Sequence, residues 1–375
     1  MSRAGAAPSQ TAERAAIVGS GLTALAAFAT LRHGGLAHEE IVVFGTDADP
    51  TEQWSRQAAA IRQRQMRSES DGHLAPADFP GLALRAAWRR RSLRPLLETA
   101  SRGYHPRVDD FLAHAAEVRA RSGFDTSFRR RRIARIEAVD GGFVLDGDGP
   151  FAHVFLATGH PGRALPDELA GDPRVVHAYE PHDYASHVAI VGAGMAAAAE
   201  WQNALAAGSS VVSVRRREPV RQALNVPRPL FSRRGLAAYH RSPREQHAAT
   251  LRRLSAPSFP PDERFDALIA SAAAEGRFHV AAQLNGAEQV IAATGFRRGF
   301  RHDALLAGLV DRHELDVHDR WLVLAPDSTV PGLTDERRTL SVGGVAGQWA
   351  FPAADTIAGA KYAARRFLER VCRTR

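Results

Sequence analysis

Two glycine-rich turns are the residues of this chain best suited to chemistry. The first reads Ala16-Ile17-Val18-Gly19-Ser20-Gly21-Leu22-Thr23-Ala24, the second Ala189-Ile190-Val191-Gly192-Ala193-Gly194-Met195-Ala196-Ala197. In each, a short apolar, β-branched run leads into G-x-G-x-x-A and then into an alanine-rich stretch. That order predicts a strand, a tight turn and a helix, with a dinucleotide pyrophosphate over the helix N-terminus. The first glycine permits the turn and the second lets backbone approach phosphate. The small third residue, Ala24 or Ala197, lets helix and strand pack closely. Two such turns imply two dinucleotides, one to hold electrons and one to deliver them, as when a nicotinamide feeds a flavin.

The elements that must position these turns follow in order. After the first helix, Ile41-Val42-Val43-Phe44 reads as the second strand. A dinucleotide fold normally ends this strand in Asp or Glu, which binds the ribose hydroxyls. Here Gly45 stands in that place, leaving Asp47 from the loop, or Thr46, to meet the ribose. The stretch 49–80 is polar and runs into 75–81, which reads as loop. From Pro106 a helix is predicted, with Val108, Phe111, Leu112, Ala115 and Val118 at helical spacing. Strands are expected over Arg132 to Val139 and over Phe143-Val144-Leu145, joined by the Gly141-Gly142 turn. Two further strands, from His153 and from Gln289, each close in Ala-Thr-Gly, at Thr158-Gly159 and Thr294-Gly295. Each Ala-Thr-Gly ends one dinucleotide unit and hands the chain to the other, which nests the second unit inside the first.

In the second unit, Val211-Val212-Ser213-Val214 runs into Arg215-Arg216-Arg217. A 2′-phosphate must be met at this strand end, and the planar donors of Arg215 and Arg216 suit it. A solvated charge run is the alternative. Gln65, Met66 and Arg67 stand where a flavin edge or ordinary loop packing would use them, and Asn225 to Phe231 reads as a lid, a substrate wall or a connecting loop.

Composition limits the function classes. The 375 residues, 45% hydrophobic and 24% charged, suit two globular α/β domains. The net charge is +8, yet Lys361 is the only lysine among many arginines. That bias resembles GC-rich codon usage, so no nucleic-acid partner is expected, and Arg129 to Arg132 reads as a solvated strand edge. Cys372 alone can form neither an internal disulfide nor a C-x-x-C pair, which excludes thioredoxin-reductase-like and lipoamide-dehydrogenase-like chemistry. No histidine spacing resembles a metal motif, so no metal is expected. The start of the chain is polar and no apolar run is long enough to span a bilayer, so no membrane partner and a cytoplasmic location are expected.

With these motifs the chain, from Ile17 to Phe367, resembles the flavin-containing monooxygenase superfamily, nearest to the microbial N-hydroxylating monooxygenases of the ornithine/lysine type. The two glycine turns, the two Ala-Thr-Gly segments and the terminal Gly343-Gly344-Val345-Ala346…Ala353-Ala354-Asp355-Thr356-Ile357 carry the likeness. The chain departs from the family at Thr51-Glu52-Gln53-Trp54, which lacks the glycine pair of the flavin turn, and in the spacing of Gly171, His177 and Tyr179. The resemblance implies an α/β fold of two Rossmann-like domains: a discontinuous FAD domain, 1–163 and 296–375, with an NADPH domain, 164–295, inserted. It implies FAD at Gly19, Gly21 and Ala24, with Trp54, Gln65, Met66, Arg67, Thr158, Gly159 and Asp355 near it. NADPH would lie at Gly192, Gly194 and Ala197, near Thr294 and Gly295. The implied activity is NADPH- and O2-dependent hydroxylation of a small-molecule substrate at nitrogen or another heteroatom. An NADPH-dependent flavin reductase or dehydrogenase on the same two domains, and a non-catalytic dinucleotide-bound sensor or interaction protein, stay open.

Overall fold

The computed structural model describes residues 13–69, 74, 76, 81–101, 103–222, 224, 226–284 and 286–373. The N-terminal stretch before Glu13, most of the polar stretch between Ser70 and Pro80, with most of the loop read over 75–81, and Asn225 lie outside the described residues. Ala15–Val18 and Ile41–Gly45 are buried along their whole length, as continuous apolar strands of a parallel sheet must be. They form the centre of a five-stranded parallel sheet ordered Thr339–Val342, His153–Leu156, Ala15–Val18, Ile41–Gly45, Phe128–Arg130. A second parallel sheet runs Phe278–Ala281, Ser210–Val214, His187–Val191, Gln289–Ala292, Val175–His177. The first sheet takes strands from both ends of the chain and the second only from its middle.

The helix after each turn is apolar on nearly all sides. In Leu22–His33 every residue from Ala24 to Leu31 is buried, because the helix is covered by the sheet on one side and by Ile357–Arg373 on another. That C-terminal helix buries Ile357, Ala360, Ala364, Phe367 and Val371, which recur at helical spacing. In the second unit, Met195–Ala206 places Trp201 among the rings of Phe259, Phe265 and Phe278, with centroids 5.8, 6.2 and 6.0 Å away.

The predicted helix from Pro106 is found as Val108–Ser122. The expected strand over Arg132 to Val139 is shorter, beginning at Ile136, while Phe128–Arg130 forms the outer strand of the first sheet. The Asp146 carboxylate accepts from the amides of Ala134 and Arg135 at 2.8 Å each, so these donors are taken by a side chain and cannot enter a ladder. Arg129 and Arg130 are exposed on that outer strand, as their reading as a solvated edge requires.

The chain passes between the two units twice, and the crossings lie side by side. Ala164 N donates to Gly295 O and Arg297 N to Gly162 O, both at 2.9 Å. One excursion departs from the sheet division. The helices Arg233–Arg241 and Arg244–Leu254 share a hydrophobic cluster with Phe300, Trp321, Trp349 and Phe351, through Leu236, Tyr239, Ala248 and Leu251. They pack on the first unit although the chain enters them from the second.

Candidate functional site

The two glycine turns have the same construction. Gly19 has φ +112°, and a Cβ there would stand 2.6 Å from the Ala157 carbonyl carbon. Gly192 has φ +140°, and its Cβ would stand 3.0 Å from the corresponding carbon of Ala293. Both positions therefore require glycine on conformational and steric grounds. Gly21 and Gly194 are different: a Cβ added at either meets nothing within 4 Å. Each begins its helix with no side-chain cap and no acid in the first turn, so neither supplies the first amide donors with an anionic partner of its own. Two cradles of this kind fit an anion such as a pyrophosphate. Ala24 and Ala197 are fully buried at the third position. Thr158-Gly159 and Thr294-Gly295 flank the cradles, with Gly159 at φ +75° and Gly295 at φ +77°.

The ribose end of the first cradle has a built reason for lacking an acid. A Cβ on Gly45 would overlap Cβ and Oγ of Ser20 and stand 3.0 Å from its amide nitrogen. Ser20 lies between the first two glycines of the turn, and its Oγ accepts from the Asp47 amide at 3.3 Å. The hydroxyl thus fills the carboxylate's usual place and draws Asp47 against the turn. No general pattern marks this contact, although Ser20 and Gly45 are each visible in the sequence. At the matching end of the second cradle, Arg215 is largely buried, 5.7 Å over the Trp201 ring and paired with Glu218 at 3.0 Å. Arg216 is exposed and paired with Glu168.

Between the units, Arg67 and Asp355 come within electrostatic reach. The Arg67 guanidinium, from the first unit, donates to Gln222 O at 3.0 Å and to Ser258 O at 3.2 Å in the inserted segment. Burial lowers its pKa to about 10, against the opposing influence of Asp355. Asp355 is solvent-accessible yet surrounded at longer range by protein. Desolvation raises its pKa, while Arg298 and Arg67 act in the opposite direction. Arg298 follows the second Ala-Thr-Gly, is exposed, and lines a cavity with Pro161, Phe300, Arg320, Trp321 and Gln348. Arg298, Arg320 and Ser20 were not among the predicted site residues; a pair of arginines just after Thr294-Gly295-Phe296 was the available signal for Arg298.

Of the remaining predicted residues, Met66 is buried, Trp54 is half-buried and Gln65 is exposed. Trp54 lies in the helix Glu52–Ala60 with its ring 5.3 Å from Phe111. Met66 is buried in the same cluster, and Gln65 bridges to Arg107. Beside the cavity, Tyr239 donates to the carbonyls of Gln348 and Trp349, while His247 lies 4.3 Å from the Trp349 ring in a parallel stack. His247 Nε2 is 2.9 Å from Trp349 O, which can only accept, so Nε2 carries the proton. Burial lowers the His247 pKa to about 4 and raises that of Tyr239. His160 stacks on Phe296 and Phe296 on Tyr179, at 4.2 and 4.8 Å, beside the two crossings.

No family model matches the sequence, and no curated protein matches it. Solved structures do. An ornithine N-hydroxylase from Kutzneria sp. 744, described with reduced FAD, NADP+ and L-ornithine, matches at 16% identity and TM-score 0.75, covering 96% of this chain and 99% of that one. The FAD-bound cadaverine monooxygenase of desferrioxamine biosynthesis from Erwinia amylovora matches at 13% identity and TM-score 0.71, covering 96% and 94%. A bacillithiol disulfide reductase from Staphylococcus aureus matches at 12% identity and TM-score 0.58, covering 96% and 97%. Over nearly its whole length, the chain has the α/β fold of the two-dinucleotide-domain flavin monooxygenases.

Proposed function

We propose that this chain is an FAD- and NADPH-dependent monooxygenase that hydroxylates a nitrogen or other heteroatom of a small metabolite with O2. The observation that carries the reading is the pair of open cradles at Gly21 and Gly194, each behind a first glycine that admits no side chain. The FAD unit comprises 1–163 and 296–375, and the NADPH unit 164–295. In the first, Gly19, Gly21, Ala24, Thr158 and Gly159 hold the pyrophosphate arm. Asp47 meets the ribose, and Trp54, Gln65, Met66, Arg67 and Asp355 border the ring. In the second, Gly192, Gly194, Ala197, Thr294 and Gly295 hold NADPH, with Arg215 and Arg216 on the 2′-phosphate.

When bound, the flavin supplies the redox chemistry and the nicotinamide its electrons. The protein binds, orients and excludes water. Arg67 fastens the first unit to the inserted segment, which keeps the two cradles in one arrangement. Asp355 stands within electrostatic reach of Arg67 and Arg298, whose charges oppose the upward shift that desolvation gives its pKa.

The test is anaerobic addition of NADPH to flavin-loaded protein, followed by O2 and a panel of amines and other heteroatom compounds. Flavin bleaching, then hydroxylated product with matching NADPH consumption, is expected. Bleaching followed only by peroxide with every compound would favour the reductase reading, which the likeness to a disulfide reductase of the same fold supports. No bleaching at all would refute both.

A further inference from the structure

Eight large hydrophobic side chains are exposed among the described residues, and four of them, Leu84, Trp88, Leu93 and Leu97, fall within one helical hairpin. It consists of Gly81–Arg90 and Arg94–Ser101 and belongs to neither sheet. The first helix buries Leu82, Ala83, Ala86 and Ala87, so Leu84 and Trp88, one turn apart, lie on the opposite, outward face. Trp88 is 85% exposed, Leu93 70% and Leu97 67%. The hairpin is held by its small inner residues and by Tyr104, not by this outer face. Leaving a tryptophan and three leucines in water is costly unless something covers them.

The charges say what kind of partner fits. The hairpin carries Arg85, Arg89, Arg90, Arg91 and Arg94 against one acid, Glu98. Arg85, Arg89 and Arg94 are paired with Glu117, Asp110 and Glu98. Arg90 lies over the Tyr104 ring, and neither it nor Arg91 pairs with an acid among the described residues. A second copy placed symmetrically on this face would bring together two hairpins of the same net positive charge. A binding groove for a protein segment needs a rim, and Trp88 stands clear of one. Tryptophan and leucine flanked by arginine is the composition that settles at a lipid headgroup boundary.

We propose that the hairpin 81–101 docks this protein on an anionic membrane surface, with Leu84, Trp88, Leu93 and Leu97 entering the headgroup layer and Arg90 and Arg91 meeting lipid phosphates. No helix of the described residues is long and apolar enough to cross a membrane, so the contact is peripheral. It departs from the expectation of no membrane partner, which considered spanning segments alone.

The test is co-sedimentation of the full chain with vesicles of phosphatidylglycerol and phosphatidylcholine, and with phosphatidylcholine alone. Binding to the mixed vesicles only, weakening with salt, is expected. Trp88→Ser with Leu97→Ser should weaken it by about tenfold or more, since both side chains lose their burial. Arg90→Gln with Arg91→Gln should weaken it and flatten the salt dependence. All four residues are outside the nucleotide cradles, so flavin content and the unfolding curve report that each variant is folded. Absence of wild-type binding to the mixed vesicles would overturn the proposal, as would unchanged binding by both variants. So would a change in oligomeric state of Trp88→Ser with Leu97→Ser in vesicle-free sedimentation velocity, which assigns the face to a second copy.

Discussion

Replacing Gly45 by glutamate would restore the acid that such strands usually carry, and the structure predicts that the single change fails. The new Cβ would overlap Cβ and Oγ of Ser20 and lie 3.0 Å from its nitrogen. Rotating the hydroxyl away relieves Oγ but neither Cβ nor nitrogen, so backbone must move. Overpacking of this kind costs about 1–3 kcal/mol. Ser20→Gly removes both overlapping atoms and leaves only the 3.0 Å approach, which a small shift relieves. Gly45→Glu should therefore destabilise the protein by about 1–3 kcal/mol alone and by much less with Ser20→Gly, a coupling of about 1 kcal/mol or more. The double variant also offers the ribose a carboxylate. A hydrogen bond to a charged group contributes about 1.5–3 kcal/mol, so FAD should bind roughly 10- to 150-fold tighter than to Ser20→Gly alone. Urea unfolding of the apoprotein measures the coupling, and quenching of flavin fluorescence measures the affinity. Should Gly45→Glu by itself be as stable as the parent and tighten FAD, the hydroxyl is not what excludes the acid.

Three further outcomes are expected. Gly21→Val should abolish flavin retention and Gly194→Val should abolish flavin reduction by NADPH while flavin is kept; absorbance spectra and anaerobic reduction separate the two, and retained function in either variant removes that cradle from the site. Arg215→Ala with Arg216→Ala should lower the preference for NADPH over NADH by roughly 10- to 150-fold, the worth of a charge-assisted phosphate contact, and an unchanged ratio would mark the arginines as a solvated face. His153 and His247 are buried with pKa values lowered from 6.5 to about 4, so the unfolded chain takes up protons that the folded one refuses. Their stability contribution is complete above 6.5 and is lost as pH falls toward 4, at about 1.4 kcal/mol per pH unit for each; His247→Phe should flatten that slope in unfolding curves measured across the window.

The nested arrangement of the two sheets was legible because glycine turns, β-branched runs and Ala-Thr-Gly closures are local signals with fixed spacing. The second strand, the helix from Val108 and the hairpin at Gly141-Gly142 were legible for the same reason. What was not legible depends on approach between segments far apart in sequence. Ser20 against Gly45 is a contact between neighbouring strand ends, set by sheet geometry and not by either local pattern. The strand expected from Arg132 was cut short because Asp146, eleven residues beyond Arg135, took its amides. The helices over 233–254, for which no local motif spoke, find their cover in the first unit.

The paired crossings have a mechanical meaning when taken with those helices. Two chain segments bonded side by side, with Gly159 and Gly295 beside them, bring both crossings to one place, as a hinge does. At another place Tyr239, His240 and His247 fasten the inserted segment to the carbonyls of 348–350, as a latch does. A door fixed at both hinge and latch cannot swing while the latch holds. A rotation that carried the helices 233–254 away from the first unit would have to unstack His247 from Trp349 and strip three carbonyls of their donors. The latch therefore ties the helices 233–254 to the carbonyls of 348–350, and any motion about the crossings must either leave those helices in place or break these contacts.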